Sequence, residues 1–211
     1  AKKYWGRPAL ADSLGQDLSY GRALTAAILL GGLLEKELGG EANASVLLPP
    51  SAGGALANLG LAAIGRVAVN LNYTASSDAL AHAIKTAEIK SVLTSRRFLE
   101  GLKAERGFNL PEGLKPVFLE DLLPKIPKWK RTLTYLALRL LPSRLVQSWY
   151  LPRAARDLDA TAAILFTSGS SALPKGVVLS HLNVLANVEM TREVFPYAER
   201  DAVLGVLPFF H

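Results

Sequence analysis

What most limits the folds open to this chain is a rhythm of short apolar runs alternating with helical patterns. Val46-Leu47-Leu48 is a candidate strand that stops at Pro49-Pro50, because proline cannot donate to a sheet ladder. Ser51 then offers an N-cap for a helix over about 52–64, on which Leu56, Leu59 and Ala63 recur on one face. Gly53, Gly54, Ala57 and Gly60 leave that helix thin-sided and suited to close packing on a sheet. Arg66 to Leu71 reads as the next strand. Ser76-Ser77-Asp78 opens a helix carrying Leu80, Ala83, Ile84 and Ala87 at spacings of three, four and seven. Ser91 to Thr94 is a strand, Phe98 to Arg106 a short helix, and Val117-Phe118-Leu119 a further strand. Such alternation predicts an α/β layered fold with a largely parallel sheet and flanking helices.

Residues 121–156 interrupt the rhythm. They hold four prolines, two tryptophans, two tyrosines and eight basic residues against a single acid, Asp121. The chain as a whole has a net charge of +6, so this segment carries all of the excess and the remainder is slightly acidic. Within it, 128–141 can form an amphipathic helix with Leu133, Leu136, Ala137 and Leu140 at helical spacing. Three readings stay open for that helix. Its leucines can pack on the domain while the charges are solvated. It can lie in a membrane interface and attract anionic lipid. It can dock an acidic carrier protein. Nucleic acid does not fit, since the basic residues sit among leucines.

The rhythm resumes after the insert. Ala162 to Phe166 is a strand, Gly176 to Leu179 another, and a helix follows His181 to about Phe195. Ala202 to Leu207 is an apolar run expected to be a strand, ending in Pro208-Phe209-Phe210-His211. The expected organisation is an α/β subdomain over 1–120, the basic insert over 121–156, and an ATP-binding region over 157–211.

The connection between the strands at 162–166 and 176–179 has the chemistry of a phosphate grip. It reads Thr167-Ser168-Gly169-Ser170-Ser171-Ala172-Leu173-Pro174-Lys175-Gly176. Glycine lets backbone N–H groups turn toward an anion, hydroxyls donate to phosphate oxygens, and a lysine supplies mobile positive charge. A Ser/Gly turn alone is a common connection. The ordered ending Pro174-Lys175-Gly176, with a strand on each side, is not. Nor is it the mononucleotide P-loop, in which a glycine-lysine pair leads into a helix.

At this string the chain resembles the adenylate-forming superfamily of acyl-CoA synthetases, luciferases and peptide-synthetase adenylation domains. It matches that family's loop at Thr167, Ser168, Gly169, Ser170, Pro174, Lys175 and Gly176, and departs at Ala172, where glycine is usual. Leu18-Ser19-Tyr20 with Leu24, the unit from Leu61 to Leu71, and Pro208-Phe209-Phe210-His211 are similar to three further family elements in the same order. Asn70 to Ser76 and the basic insert look most like fatty acyl–acyl carrier protein synthetases of the 2-acylglycerophosphoethanolamine acyltransferase type, or long-chain acyl-CoA synthetases.

The resemblance implies an ATP-dependent acid–thiol ligase. A fatty acid would be activated as its acyl-adenylate and passed to coenzyme A or to the phosphopantetheine of an acyl carrier protein. Thr167, Ser168, Gly169, Ser170, Ser171 and Lys175 would hold ATP phosphates, with Mg2+ accompanying ATP. His211 would act near the reacting carboxylate, and Phe210 and His211 would border the acyl pocket. No metal ligand is assigned to this chain. The family's adenine, ribose and terminal lysine elements, and its small C-terminal domain, have no counterpart among the 211 residues. The expectation is therefore the N-terminal portion of a longer ligase, inactive by itself. Two alternatives are a non-enzymatic lipid- or carrier-binding module and an unrelated NTPase with a Ser/Gly loop. There is no cysteine, no apolar run follows the first charges, and no uncharged apolar stretch approaches the ~20 residues of a membrane span. The expected setting is the cytoplasm, with peripheral contact at the inner membrane face.

Overall fold

The structure, a computed structural model, describes residues 1–167 and 173–210. A six-stranded sheet is sandwiched between two layers of helices. Its strands are β3 (Asn43–Val46), β4 (Val67–Asn70), β5 (Ser91–Thr94), β6 (Lys115–Phe118), β7 (Thr161–Phe166) and β8 (Gly176–Ser180), in the spatial order β6-β5-β3-β4-β7-β8. β6, β5, β3, β4 and β7 are parallel, and β8 pairs antiparallel with β7. A separate two-stranded ribbon, β1 (Pro8–Ala11) and β2 (Asp17–Ser19), precedes the sheet. The helices are α1 (Tyr20–Leu38), α2 (Ala52–Ala63), α3 (Ser77–Thr86), α4 (Arg96–Arg106), α5 (Leu119–Leu122), α6 (Lys128–Leu140), α7 (Ser143–Tyr150) and α8 (His181–Val194).

Adjacent residues of the central strands serve opposite cores, as the period of two requires. Val46, Ala68 and Leu93 join Leu30, Leu34 and Leu38 of α1 and Ala57 and Leu61 of α2 on one face. Leu47, Val69 and Val92 join Leu80 of α3 and half-buried Phe98 and Leu99 of α4 on the other. Ser51, Ser76 and Ser95 each accept a hydrogen bond from a first-turn backbone N–H and so cap α2, α3 and α4.

Several expectations are corrected. On α2 the inward stripe is Gly54, Ala57, Gly60 and Leu61, and Leu59 is exposed. The thin side packs on a helix as well as above the sheet: a Cβ on Gly31 of α1 would lie 2.7 Å from the Gly60 carbonyl oxygen. Small residues at this crossing let two backbones touch. The 19-residue α1 and the β1–β2 ribbon had no sequence assignment. α1 lacks a clean stripe because α2, α6 and the sheet each contact it, so apolar and small residues occur on several sides. The run at 202–207 is not a strand. None of β1–β8 pairs with it, Val203, Leu204, Val206 and Leu207 are exposed, and an apolar run without a ladder partner has no reason to be extended.

The insert forms α6 and α7. It is pinned to α1 by Trp5, Leu138 and Val146, with half-buried Leu24, Ile28, Tyr135 and Leu141 around them. Trp5 and Tyr135 are tilted against each other at 4.9 Å. The face of α6 that packs is therefore Thr134 and Leu138, while Leu133, Leu136 and Leu140 point to solvent. This overturns the reading in which those three leucines pack on the domain.

Candidate active site

Parallel α/β sheets bind ligands beyond the carboxyl ends of their strands, where loops converge and helices begin. The connections that leave that edge include Leu47 to Ser51 after β3, Leu71 to Ser76 after β4, Ser95 after β5, and the connection after β7.

The connection after β7 is a hairpin tied at its base. Phe166 pairs with Gly176 in the last register step. Beyond it, the Thr167 backbone N–H donates to the Lys175 carbonyl at 3.0 Å, and the Lys175 N–H donates to Thr167 Oγ1 at 3.3 Å. Gly176 is closely packed: a Cβ there would sit 3.2–3.3 Å from Ile164 and Phe166 side-chain atoms, which would have to give by a few tenths of an ångström. Thr167 and Lys175 are thus neighbours across the hairpin, both exposed, and Lys175 has no carboxylate within ion-pair distance among the described residues. An exposed ammonium with no carboxylate partner among the described residues suits a phosphate oxygen. Ser168, Gly169, Ser170, Ser171 and Ala172 lie outside the described residues, as does His211.

The chain returns to the same edge at 208–210. Phe209 lies on α2: a Cβ on Gly54 would be 2.6 Å from Phe209 Cε2 and 2.8 Å from the Pro49 carbonyl. Only glycine admits the ring there. Phe210 is buried and stands edge-on to Tyr73 at 5.0 Å, and Tyr73 stands edge-on to Phe98 at 5.2 Å. T-shaped ring pairs like these are favoured by the aromatic quadrupole. Burial raises the Tyr73 phenol above its usual pKa, against a smaller opposing effect of Arg106. Sequence reasoning passed over Tyr73, Phe98 and Gly54 as site residues. The available signal was position, since Tyr73 lies three residues past the end of β4.

The N-terminus of α2 is not an open anion site. Its Ala52 N–H donates to Asp12 Oδ2 at 3.0 Å, and its Gly54 N–H donates to Ser51 Oγ at 3.2 Å. The other two histidines have local partners. His82 Nε2 lies 3.3 Å from Thr86 Oγ1 one turn on, and the His181 backbone N–H donates to the Ala160 carbonyl as α8 begins. No group of three or more His, Asp or Glu side chains converges among the described residues. A cleft of about 400 Å³ lies elsewhere, among α1, α2, α6 and α7, and Phe210 does not line it.

The profile of AMP-binding enzymes matches residues 1–211. The chain belongs to the AMP-binding enzyme family. A 53-residue stretch is 51% identical to a probable 4-coumarate–CoA ligase of Dictyostelium discoideum, covering 24% of this chain and 10% of that protein. A 76-residue stretch is 36% identical to a long-chain-fatty-acid–AMP ligase of Mycolicibacterium smegmatis, covering 36% of this chain and 12% of that one. The fold is that of o-succinylbenzoate CoA synthetase from Bacillus subtilis in complex with its acyl-adenylate intermediate, with a TM-score of 0.74 at 20% identity over 99% of this chain. The chain spans about half of that structure, 48% of its length. Another structure of the same Bacillus protein is a complex with ATP and magnesium ion, at a TM-score of 0.73, 19% identity and 99% coverage of this chain against 49% of that one. Membership sets aside an unrelated NTPase that merely borrows a Ser/Gly loop.

Proposed function

We propose that this chain supplies the phosphate-gripping and acyl-facing part of an ATP-dependent acid–thiol ligase acting on a fatty acid. The observation that carries the reading is the hairpin tied by Thr167 and Lys175 at the carboxyl edge of the sheet, within a chain that matches the AMP-binding family throughout. The chemistry balances as two displacements. A carboxylate oxygen attacks the α-phosphorus of ATP, the bond to the β-phosphate breaks, and pyrophosphate leaves with that electron pair. A thiol sulfur then attacks the acyl carbonyl, AMP leaves, and the thiol proton goes to solvent.

In this reading the protein contributes position and charge rather than covalent chemistry. Lys175 neutralises β- and γ-phosphate oxygens, and the hydroxyls of Thr167, Ser168, Ser170 and Ser171 donate to them. His211 acts beside the carboxylate, and Phe210 closes one side of the acyl pocket through its contact with Tyr73. Mg2+ enters with ATP as its counter-ion. The acceptor is the thiol of coenzyme A or of an acyl carrier protein; the relatives' names include ligases of both fatty and aromatic acids. The setting is the cytoplasm, with the insert resting on the anionic inner face of the membrane.

The test is calorimetric titration with ATP and with pyrophosphate. Lys175→Ala should weaken both by roughly 10- to 100-fold, the worth of one charge-assisted contact. Unchanged affinity in the variant, or no affinity in the parent chain, rejects the phosphate role. Carboxylate-dependent exchange of pyrophosphate into ATP, compared for fatty and aromatic acids, then assigns the acid.

A further inference from the structure

α6 has two apolar faces. The inner one, Thr134 and Leu138, is buried. The outer one is Trp129, Leu133, Leu136 and Leu140, spaced by four, three and four residues and 67%, 60%, 44% and 74% exposed. At 100° per residue these four fall within a stripe ~60° wide, diametrically opposite Leu138. Lys128 and Arg139 flank one side of the stripe and Lys130 the other, each roughly 90–110° from its centre by the same geometry. α7 repeats the pattern in brief, exposing Leu145 and Trp149 beside Arg144 while Val146 packs inward.

The cations on this surface are unspent. The sole acid of the insert, Asp121, is bound to Arg96 at 2.7 Å, and Lys125 is paired with Glu37 at 2.9 Å. Arg131 donates to the Leu123 and Ile126 carbonyls. Lys128, Lys130, Arg139, Arg144, Arg153 and Arg156 are exposed and have no acidic partner among the described residues.

We propose that α6 and α7 dock this protein on an anionic lipid bilayer. The stripe of leucines and tryptophan enters the boundary between headgroups and acyl chains. The flanking lysines and arginines reach lipid phosphates from either side, burying their alkyl stems as they do so. Charge complementarity selects an anionic occupant. Cations on either side of a narrow apolar ridge match a planar headgroup layer better than an acidic protein, which would meet charge on one patch. Among the described residues no helix is long and apolar enough to cross a membrane, so the contact is with the surface. Lys130 and Trp149 also line the cleft of about 400 Å³, together with Ile28, Leu29 and Ile64.

The inference does not rest on the ligase reading, because lipid binding requires no ATP. It is tested by flotation of the full 211-residue chain with vesicles of phosphatidylcholine alone, or with 30% phosphatidylglycerol (roughly physiological charge density), at low and high salt. Anionic vesicles should bind at least about tenfold more tightly, and high salt should erase the difference. The double variant Lys128→Gln, Arg139→Gln should lose roughly 30-fold on anionic vesicles, ~1 kcal/mol per cation. Leu133→Gln with Leu140→Gln should lose about tenfold or more. Both pairs are exposed, so circular dichroism should show an unchanged fold. Equal binding to neutral and anionic vesicles overturns the proposal, as does parent-like binding by either double variant, which would assign the contact to another surface such as α8. Self-association that shields Trp129, or capture of an acidic carrier protein, without vesicle binding also overturns it.

Discussion

Helices α1 and α8 are held in opposite ways. α1 buries nine of its 19 residues, with Leu34 wholly inaccessible, against α2, α6 and the sheet. α8 buries none of its 14, and Leu182, Val184, Leu185, Val188, Met190 and Val194 are exposed. What α8 has instead is a capping box. Ser180 Oγ accepts from the Asn183 N–H at 3.2 Å, and Asn183 Oδ1 accepts from the Ser180 N–H at 2.9 Å. Tertiary packing, not intrinsic preference, supplies most helix stability in proteins. Within one chain, then, the first part is stabilised by its core and the β7–β8–α8 unit by local hydrogen bonds and the seam of β7 with β4.

The comparison is sharpest at the core. Leu34→Ala should lower the unfolding free energy by about 2–5 kcal/mol in denaturant titration, whereas Leu185→Ala should change it by less than about 0.5 kcal/mol. Comparable losses at the two sites would mean that α8 is packed after all. Gly31→Ala should follow, at about 1–3 kcal/mol, because its methyl must displace the Gly60 carbonyl. Ser180→Ala removes a cap worth about 1 kcal/mol. Hydrogen exchange should show the loss in the first turn of α8, with β3 and β4 unmoved.

The smallest effect is electrostatic and fully exposed. Tyr4 and Arg7 each donate to the Glu199 carboxylate at 2.7 Å, fastening the N-terminus to the turn after α8. Hydrogen bonds from Tyr4 and Arg7 hold Glu199 at about 2, below its ordinary 4.5. A depressed acid stabilises the folded state above its ordinary value, and that contribution is lost as pH falls from 4.5 through about 2. NMR titration of the Glu199 carboxyl should find the low midpoint, and Arg7→Ala should raise it. An ordinary midpoint in the parent protein would mean that the fastening is not formed.

Much of the fold was legible in the sequence. β4 and β5 are brief runs that feed both cores, Ala68 and Leu93 into one and Val69 and Val92 into the other, which makes them apolar on both faces; β3 begins earlier than the apolar run Val46-Leu47-Leu48 because Asn43, Ala44 and Ser45 pair in the ladder ahead of it. α1 was not legible because a helix touched from three sides has no single stripe. The run at 202–207 misled because apolar composition resembles a strand, whereas a strand is made by its partner. The sidedness of α6 could not be read, since both of its apolar faces satisfy the helical period and only the position of Trp5 chooses between them. At the site, Thr167 and Lys175 announced themselves by residue type. Tyr73 and Phe98 did not, because an aromatic residue in sequence looks the same whether it fills a core or braces a site.

The tie between Thr167 and Lys175 also bears on how tolerant the intervening loop is to redesign. With its neck knotted, lengthening the loop adds only the slowly growing entropy of a larger closed circuit, about 0.6 kcal/mol per doubling. Shifting the knot by one residue is a different matter, since it would turn Val177, Val178 and Leu179 over to the opposite side of β8. An engineer could therefore lengthen the loop at little cost in stability, provided the two residues at its neck keep their grip on each other.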